Sequence, residues 1–281
     1  MTITHISDTA RWVATYRARE SERPDAIFHD PFARRLAGEQ GERNVASLNH
    51  GERMSCAMVV RTAIFDELLL AAIARDQIDV VINLAAGLDA RPWRLTLPKE
   101  LRWVDVDLPG ILDYKKEVLA GETPHCHYES VATDLRDVDA RRALLARLTS
   151  DAKSVVLITE GLLIYLKEDE VMSLARDLRA IRNVRGWILD LISPNLMQFL
   201  QRGWGRETAR GDAPFQFAPA AGTAFFAPAG WREGEYRESH DEAKRLNRMM
   251  QVPLLGRIIG WLFYARRMRG RLSGFVRLDP A

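Results

Sequence analysis

The amino-acid sequence predicts an α/β protein with a doubly wound, mostly parallel sheet. The first observation is a series of short apolar runs suited to buried strands. They are Asp79-Val-Val-Ile-Asn-Leu-Ala, Leu101-Arg-Trp-Val-Asp-Val-Asp, His127-Tyr-Glu-Ser-Val-Ala, Ser154-Val-Val-Leu-Ile-Thr and Gly186-Trp-Ile-Leu-Asp-Leu-Ile. The second is that helical patterns fit between them, near 109–120, 137–149 and 167–182. Strand and helix alternating at this spacing call for right-handed crossovers, which put helices on both faces of a parallel sheet. The third is size: 281 residues, 47% of them apolar, suit one core with an added cap.

Residues 1–77 read as a helical N-terminal cap. Asp8 is placed to cap a helix running through Arg19, and Pro31 at the first turn of a second, where its missing N–H costs nothing. A third helix is expected over 55–75, with Met58, Ala63, Phe65 and Leu69 among its apolar positions. Residues 78–193 form the expected cofactor-binding core. From 194 to 250 the pattern loosens, with several Gly and Pro and the aromatics Phe199, Trp204, Phe215, Phe217, Phe225 and Phe226. So many rings are expected to pack, either completing the core or covering the mouth of a site. On the second reading at least one of Trp204, Phe217 and Phe225 lines a pocket. Residues 251–281 complete a single domain of 1–281 with a C-terminal helix and a last strand near 273–278. The stretch 252–269 is apolar and then basic, which suits a helix covering the sheet or site better than one lying on a membrane, because Gly256 and Gly260 weaken a free interfacial helix.

Composition narrows the function. Charged residues make up 28% and nearly cancel at +2, without the basic excess on which nucleic-acid affinity rests. No apolar run reaches the ~20 residues needed to span a bilayer, and the first twenty residues lack the apolar core of a signal peptide. Cys56 and Cys126 stand far apart, outside any paired metal spacing. These readings point to a cytoplasmic protein without stable membrane association. His125-Cys126-His127 invites a metal reading, since strand alternation puts both imidazoles on one face, but no second ligand pair has suitable spacing and no metal is expected.

Open parallel sheets collect ligands beyond the carboxyl ends of their strands. The first strand runs into a loop with Gly87, where backbone can approach a ligand. The second ends at Asp107, twenty positions after Gly87, matching the ~20-residue offset at which an acid meets ribose hydroxyls. Asp134 follows the third strand and Glu160 the fourth. Singly, each acid also reads as a cap or turn residue; their joint placement is harder to dismiss. A nicotinamide dinucleotide fits this loop poorly. One glycine stands where the fingerprint has three, and Asp89 would repel a pyrophosphate. A cationic ligand without phosphates suits the acids better. S-adenosylmethionine has ribose hydroxyls, an ammonium and a sulfonium, and its single carboxylate needs an arginine.

Asp30-Pro-Phe-Ala, Arg61-Thr, Asn83-Leu-Ala-Ala-Gly-Leu-Asp-Ala-Arg91, Val106-Asp-Leu-Pro109, Thr133-Asp-Leu135, Thr159-Glu-Gly-Leu-Leu-Ile-Tyr165 and Phe225-Phe-Ala-Pro-Ala-Gly-Trp231 follow one another in order. With this set the chain resembles the leucine carboxyl methyltransferases and their bacterial relatives, including polyketide O-methyltransferases. The resemblance implies a seven-stranded, Rossmann-like methyltransferase sheet with a helical N-terminal extension, and S-adenosylmethionine as cofactor. It also implies that Arg61 pairs with the methionine carboxylate, helped by Arg17, and that Gly87 lines the methionyl part. Asp107 would hold the ribose, Asp134 with the Leu135 backbone would meet adenine, and Glu160 would face the ammonium. Relatives usually carry glycine where this chain has Ala85.

The expected reaction is methyl transfer to an oxygen of a small-molecule carboxylate or hydroxyl acceptor. A carboxylate needs no base; an alcohol or phenol does. Tyr165 is the acceptor-side candidate, as an orienting hydroxyl or as a ring packed on the fourth strand. His240 reads equally as a base or as a surface residue. The rival readings are a non-catalytic S-adenosylmethionine-binding protein and, more weakly, an NAD-dependent oxidoreductase. The sequence leaves the oligomeric state open.

Overall fold

The structure, a computed structural model, describes residues 7–47, 51–210, 214–249 and 271–281. The strands are β1 Val80–Leu84, β2 Arg102–Asp107, β3 His127–Ala132, β4 Val155–Thr159, β5 Val184–Ile192, β6 Trp231–Glu238 and β7 Ser273–Pro280. They form one sheet in the order β3-β2-β1-β4-β5-β7-β6. β1 to β5 run parallel, and β7 lies antiparallel between β5 and β6. β1 and β4 are neighbours with chain running outward on either side. The strand order therefore reverses there, at the switch point where a crevice opens above the carboxyl ends.

Alternation along the strands explains the two covered faces. Val80, Ile82 and Leu84 of β1 pack with Leu144 and Leu148 of α6 (Val138–Thr149) and Val171 and Leu174 of α7 (Glu168–Arg179). Val81, between them, belongs to the opposite cluster with Ile64, Phe65 and Leu68 of α3 (Gly51–Asp76). All five residues of β1 and of β4 are buried, as a central strand covered on both sides requires. β3, at one edge, is more exposed and carries His127 and Glu129.

Two helices adjust the sequence reading at the N-terminus. α1 spans Ser7–Ser21 and takes in Asp8 as a helical residue, not as the cap. α2 spans Ala33–Ser47, so Pro31 precedes it in a turn. There the Asp30 carboxylate accepts the Phe32 N–H, and a short polar side chain rather than proline organises the entry. α1 packs along α2 and α3 and closes one side of the crevice.

The segment 194–250 is more ordered than its composition suggests. It holds α8 (Pro194–Arg210), a 3₁₀ helix (Gly222–Ala229), β6 and α9 (Ser239–Arg245). β6 is a strand of the main sheet, so this stretch is partly core. Phe226 and Trp231 are buried around Trp187, with ring centroids 5.3 and 5.6 Å away. Phe217 and Phe225 pack on Phe226 in the same cluster and do not line the crevice, whereas Phe215 does. Core filling therefore took two of the rings expected as pocket candidates. The Trp204 side chain and the apolar-to-basic stretch 252–269 lie outside the described residues. No described helix is long and apolar enough to cross a membrane.

One buried ion pair fixes the outer strands. Lys115 of α5 (Pro109–Val118) reaches under the sheet edge, its ammonium 2.5 Å from Asp105 on β2; both side chains are essentially inaccessible. Asp105 also accepts from Trp103 Nε1 at 2.8 Å, Tyr128 Oη at 2.9 Å and Asn83 Nδ2 at 3.3 Å, linking β1, β2 and β3. Removing one partner leaves a charge stranded in a dry interior. Lys115→Met should lower the unfolding free energy by about 3–5 kcal/mol, read from the midpoint of denaturant unfolding.

Candidate functional site

The crevice at the switch point is a cavity of about 280 Å³. Its floor comes from the carboxyl ends of β1, β2, β4 and β5, which supply Asn83, Asp107, Glu160 and Asp190. Its roof comes from α1 and α3. Of the residues singled out in the sequence, Arg17, Arg61, Gly87, Asp107, Glu160 and Tyr165 all line it. Asp134 and Leu135 do not. Asp134 is half-buried and held by Arg136 at 2.8 Å, which keeps its carboxyl below the ordinary range despite that burial. Leu135 packs into the core, its carbonyl accepting from Arg141. His240 is exposed on α9 and outside the cavity.

On the β1–β2 side, the Gly87 N–H donates to Asp107 Oδ2 at 2.7 Å, and the Leu108 N–H donates to Oδ1 at 2.7 Å. Burial raises the Asp107 carboxyl, and these two N–H groups partly offset it. Gly87 has φ +52°, a left-handed conformation natural for glycine. Ala85, two residues earlier, also has a positive φ, +56°. A Cβ in that region costs about 1–2 kcal/mol, so the loop carries strain at Ala85.

The opposite wall is a buried charge network. Arg61 Nε donates to Glu160 Oε1 at 3.0 Å, and its Nη1 lies 3.5 Å from Asp190 Oδ2. Arg91 touches three carboxylates: Asp66 at 2.6 Å, Asp89 at 2.6 Å and Glu160 Oε2 at 2.8 Å. Burial works against the charged form of these groups, but Glu160 and Asp190 raise Arg61 above its ordinary value, and Asp89, Glu160 and Asp66 do so for Arg91. For Asp89, burial is outweighed by Arg91, Lys115 and Arg17, which hold the carboxyl well below its usual range. Arg17 lies 2.9 Å from Asp30 and donates to the Leu88 carbonyl, tying α1 to the β1 loop.

Sequence reasoning missed Arg91, Asp66 and Asp190. Asp190 carried the same signal as the other acids, a carboxylate near a strand's carboxyl end. Arg91 and Asp66 had no local signal, because their pairing joins residues 25 positions apart.

Gly161 gives the network its room. Its φ is +69°, and a Cβ there would stand 2.8 Å from Arg61 Nη1. The far half of the cavity is apolar, with Ile164, Ile192, Leu200 and Phe215. Tyr165 borders it, its ring tilted against Phe215 with centroids 5.7 Å apart, and it is hydrogen-bonded with Thr9. Burial raises its hydroxyl above the ordinary tyrosine value, with partial relief from Arg61.

His125 lies ahead of β3 rather than on it, so strand alternation does not align it with His127, and its Nδ1 is 2.6 Å from the Leu95 carbonyl. No group of three or more His, Cys, Asp or Glu side chains able to hold a metal occurs among the described residues.

The fold is shared with solved proteins at low identity. A DUF574 family protein from Streptomyces avermitilis superposes with a TM-score of 0.61 at 15% identity, covering 97% of both chains. A protein from Thermobifida fusca, described as a putative methyltransferase, gives 0.62 at 12% identity, covering 99% of this chain and 95% of its own. These define the class as an α/β fold with a mostly parallel, seven-stranded sheet. The profile of the leucine carboxyl methyltransferase family matches residues 10–179, and the chain belongs to that family. A Streptomyces coelicolor protein named "Putative S-adenosyl-L-methionine-dependent methyltransferase" is 40% identical over 173 residues, covering 58% of this chain and 60% of its own. A Rhodococcus jostii protein of the same description is 40% identical over 172 residues, covering 58% of each. The matched stretch thus spans less than two thirds of these relatives' length.

Two substitutions check the local geometry. Gly161→Ala should cost about 1–2 kcal/mol for the left-handed backbone alone and push Arg61 off Glu160, measured by chemical denaturation and a crystal structure of the variant. Ala85→Gly should relieve strain against a smaller entropic loss and raise the unfolding free energy by up to about 1 kcal/mol in the same assay.

Proposed function

We propose that this protein is an S-adenosylmethionine-dependent O-methyltransferase acting on a small, largely apolar acceptor. The observation that carries this reading is the charge balance of the cavity. Among the described lining residues, three guanidinium groups (Arg17, Arg61, Arg91) meet four carboxylates (Asp89, Asp107, Glu160, Asp190), leaving one negative charge in excess. S-adenosylmethionine is a zwitterion with an added sulfonium, a net single positive charge, and it carries no phosphate. The residues present fit it.

In this reading Arg61, assisted by Arg17, takes the methionine carboxylate, and Glu160 faces the ammonium. Gly87 lies along the methionyl part and Asp107 holds the ribose hydroxyls. Each Asp107 oxygen has a lone pair left after accepting its backbone N–H. Asp134 and the Leu135 backbone would meet adenine at the outer edge. When bound, the cofactor supplies a methyl group on a sulfonium centre. Tyr165 orients the acceptor, and Phe215, Ile164, Ile192 and Leu200 exclude water from it. Positioning and exclusion of water are the protein's main contributions, because charge disperses as the sulfonium is neutralised.

Calorimetry tests the binding half of this proposal. The wild-type chain should bind both S-adenosylmethionine and S-adenosylhomocysteine. Arg61→Ala, confirmed folded by circular dichroism, should weaken S-adenosylmethionine binding by about 1.5–3 kcal/mol, the range for a charged hydrogen-bonded partner. Asp107→Ala should weaken both ligands alike, since both carry the same ribose. Absence of binding to the wild-type chain would sink the reading.

A further inference from the structure

The four lining carboxylates are not equally engaged. Both oxygens of Asp107 accept backbone N–H groups, and both oxygens of Glu160 are held by guanidinium groups. Asp89 Oδ1 accepts the Arg91 N–H, while Oδ2 accepts from Arg91 and Asn83. Asp190 differs. Its Oδ1 accepts the Gly161 N–H at 2.7 Å, but Oδ2 lies a long 3.5 Å from Arg61 Nη1. Its side chain is also the more accessible of the acids on this wall, 21% against 14% for Glu160.

Position adds a second argument. Asp190 sits on β5, beside Gly161 and in the same cavity as Tyr165 and the apolar residues Ile192 and Phe215. Gly87 and Asp107 mark the cofactor side, over β1 and β2. Asp190 therefore stands on the acceptor side, at the edge of the dry half.

Resting on the methyltransferase reading above, we propose that Asp190 is the general base of the reaction and that the acceptor is consequently a hydroxyl compound, not a carboxylate. The acceptor O–H donates to Asp190 Oδ2. As the oxygen forms its bond to the methyl carbon, the hydroxyl proton passes to Asp190, and the electron pair of the broken carbon–sulfur bond stays on sulfur. The protonated Asp190 then releases its proton to solvent. A carboxylate acceptor has no proton to give, and its charge would meet the like charge of Asp190.

The groups facing Asp190 set its working range. Burial, joined by Glu160, raises the carboxyl above its ordinary value, against the pull of Arg61 from α3, the Gly161 N–H and the residue's own N–H. Tyr165 approaches from the 3₁₀ turn Leu163–Tyr165, and Phe275, its register partner on β7, carries no charge. Because the base must be ionised, activity should fall as pH drops through this raised value.

The test uses the full chain with S-adenosylmethionine and a panel of phenols and naphthols, each matched by a carboxylic acid on the same ring. Methyl ethers should form and methyl esters should not. Asp190→Asn, which keeps the acceptor for the Gly161 N–H, should lower kcat by about 10²–10⁴-fold and abolish the acid limb of kcat/KM. Calorimetric affinity for S-adenosylmethionine should fall far less than the rate in this variant, and Asp190→Glu should restore part of the rate with the limb. Esters in place of ethers, no ether from any hydroxyl probe, an Asn variant that keeps the rate, or one whose main defect is cofactor affinity would each overturn the proposal. Failure of the wild-type chain to bind S-adenosylmethionine would instead remove the reading beneath it.

Discussion

Arg91 is the interaction on which the site depends. Its guanidinium is almost wholly buried, and the carboxylates around it come from three separate places: Asp66 on α3, Asp89 in the loop after β1, and Glu160 in the loop after β4. A buried cation is tolerable only when its donors are met, and Arg91 is the partner that these three acids share. The pairing therefore locks two strand-end loops and the long helix into one arrangement. Arg94 extends the lock, donating to Asp66 at 2.7 Å. Such an arrangement is costly to assemble and stiff once made, which suits a site whose task is to hold a ligand in one orientation.

The same network lines a crevice of mixed character. The charged groups share the lining with apolar side chains, Ile164, Ile192, Leu200 and Phe215 among them, with Trp12, Val13 and Met58 from the helices. The cavity's surplus of one negative charge lies against apolar side chains that water leaves readily. A cation placed at that boundary is stabilised by the charged groups and exposed to reaction on the apolar side. The strained Ala85 and the left-handed Gly87 and Gly161 all fall in the loops that shape this boundary. These three are backbone conformations that L-residues avoid, placed where the chain turns sharply beside the crevice.

Much of the fold was legible in the chain. The five parallel strands appear within a residue or two of their apolar runs, because buried strands need such runs and the intervening helices need their period. β6 was hidden. Trp231–Glu238 is mostly polar, as an edge strand with solvent on one side can be, so no apolar run announced it. Pro31 was read as a helix start because proline is tolerated there, but the Asp30 side chain, capturing the Phe32 N–H, set the boundary two residues later.

The sequence by itself determined which residues face the crevice from the strand ends, since a parallel sheet delivers its carboxyl ends to one rim whatever the side chains do. Gly87, Asp107 and Glu160 were readable for that reason. Tertiary structure alone decided their state. It paired Glu160 with both Arg61 and Arg91, and it set Asp134 outside the cavity. It sent Phe217 and Phe225 into the core and left Phe215 at the site. It also left Asp190 as the acid with an oxygen to spare. Pairing between residues tens of positions apart depends on how helices and loops pack in three dimensions, and local sequence patterns carry no record of that packing.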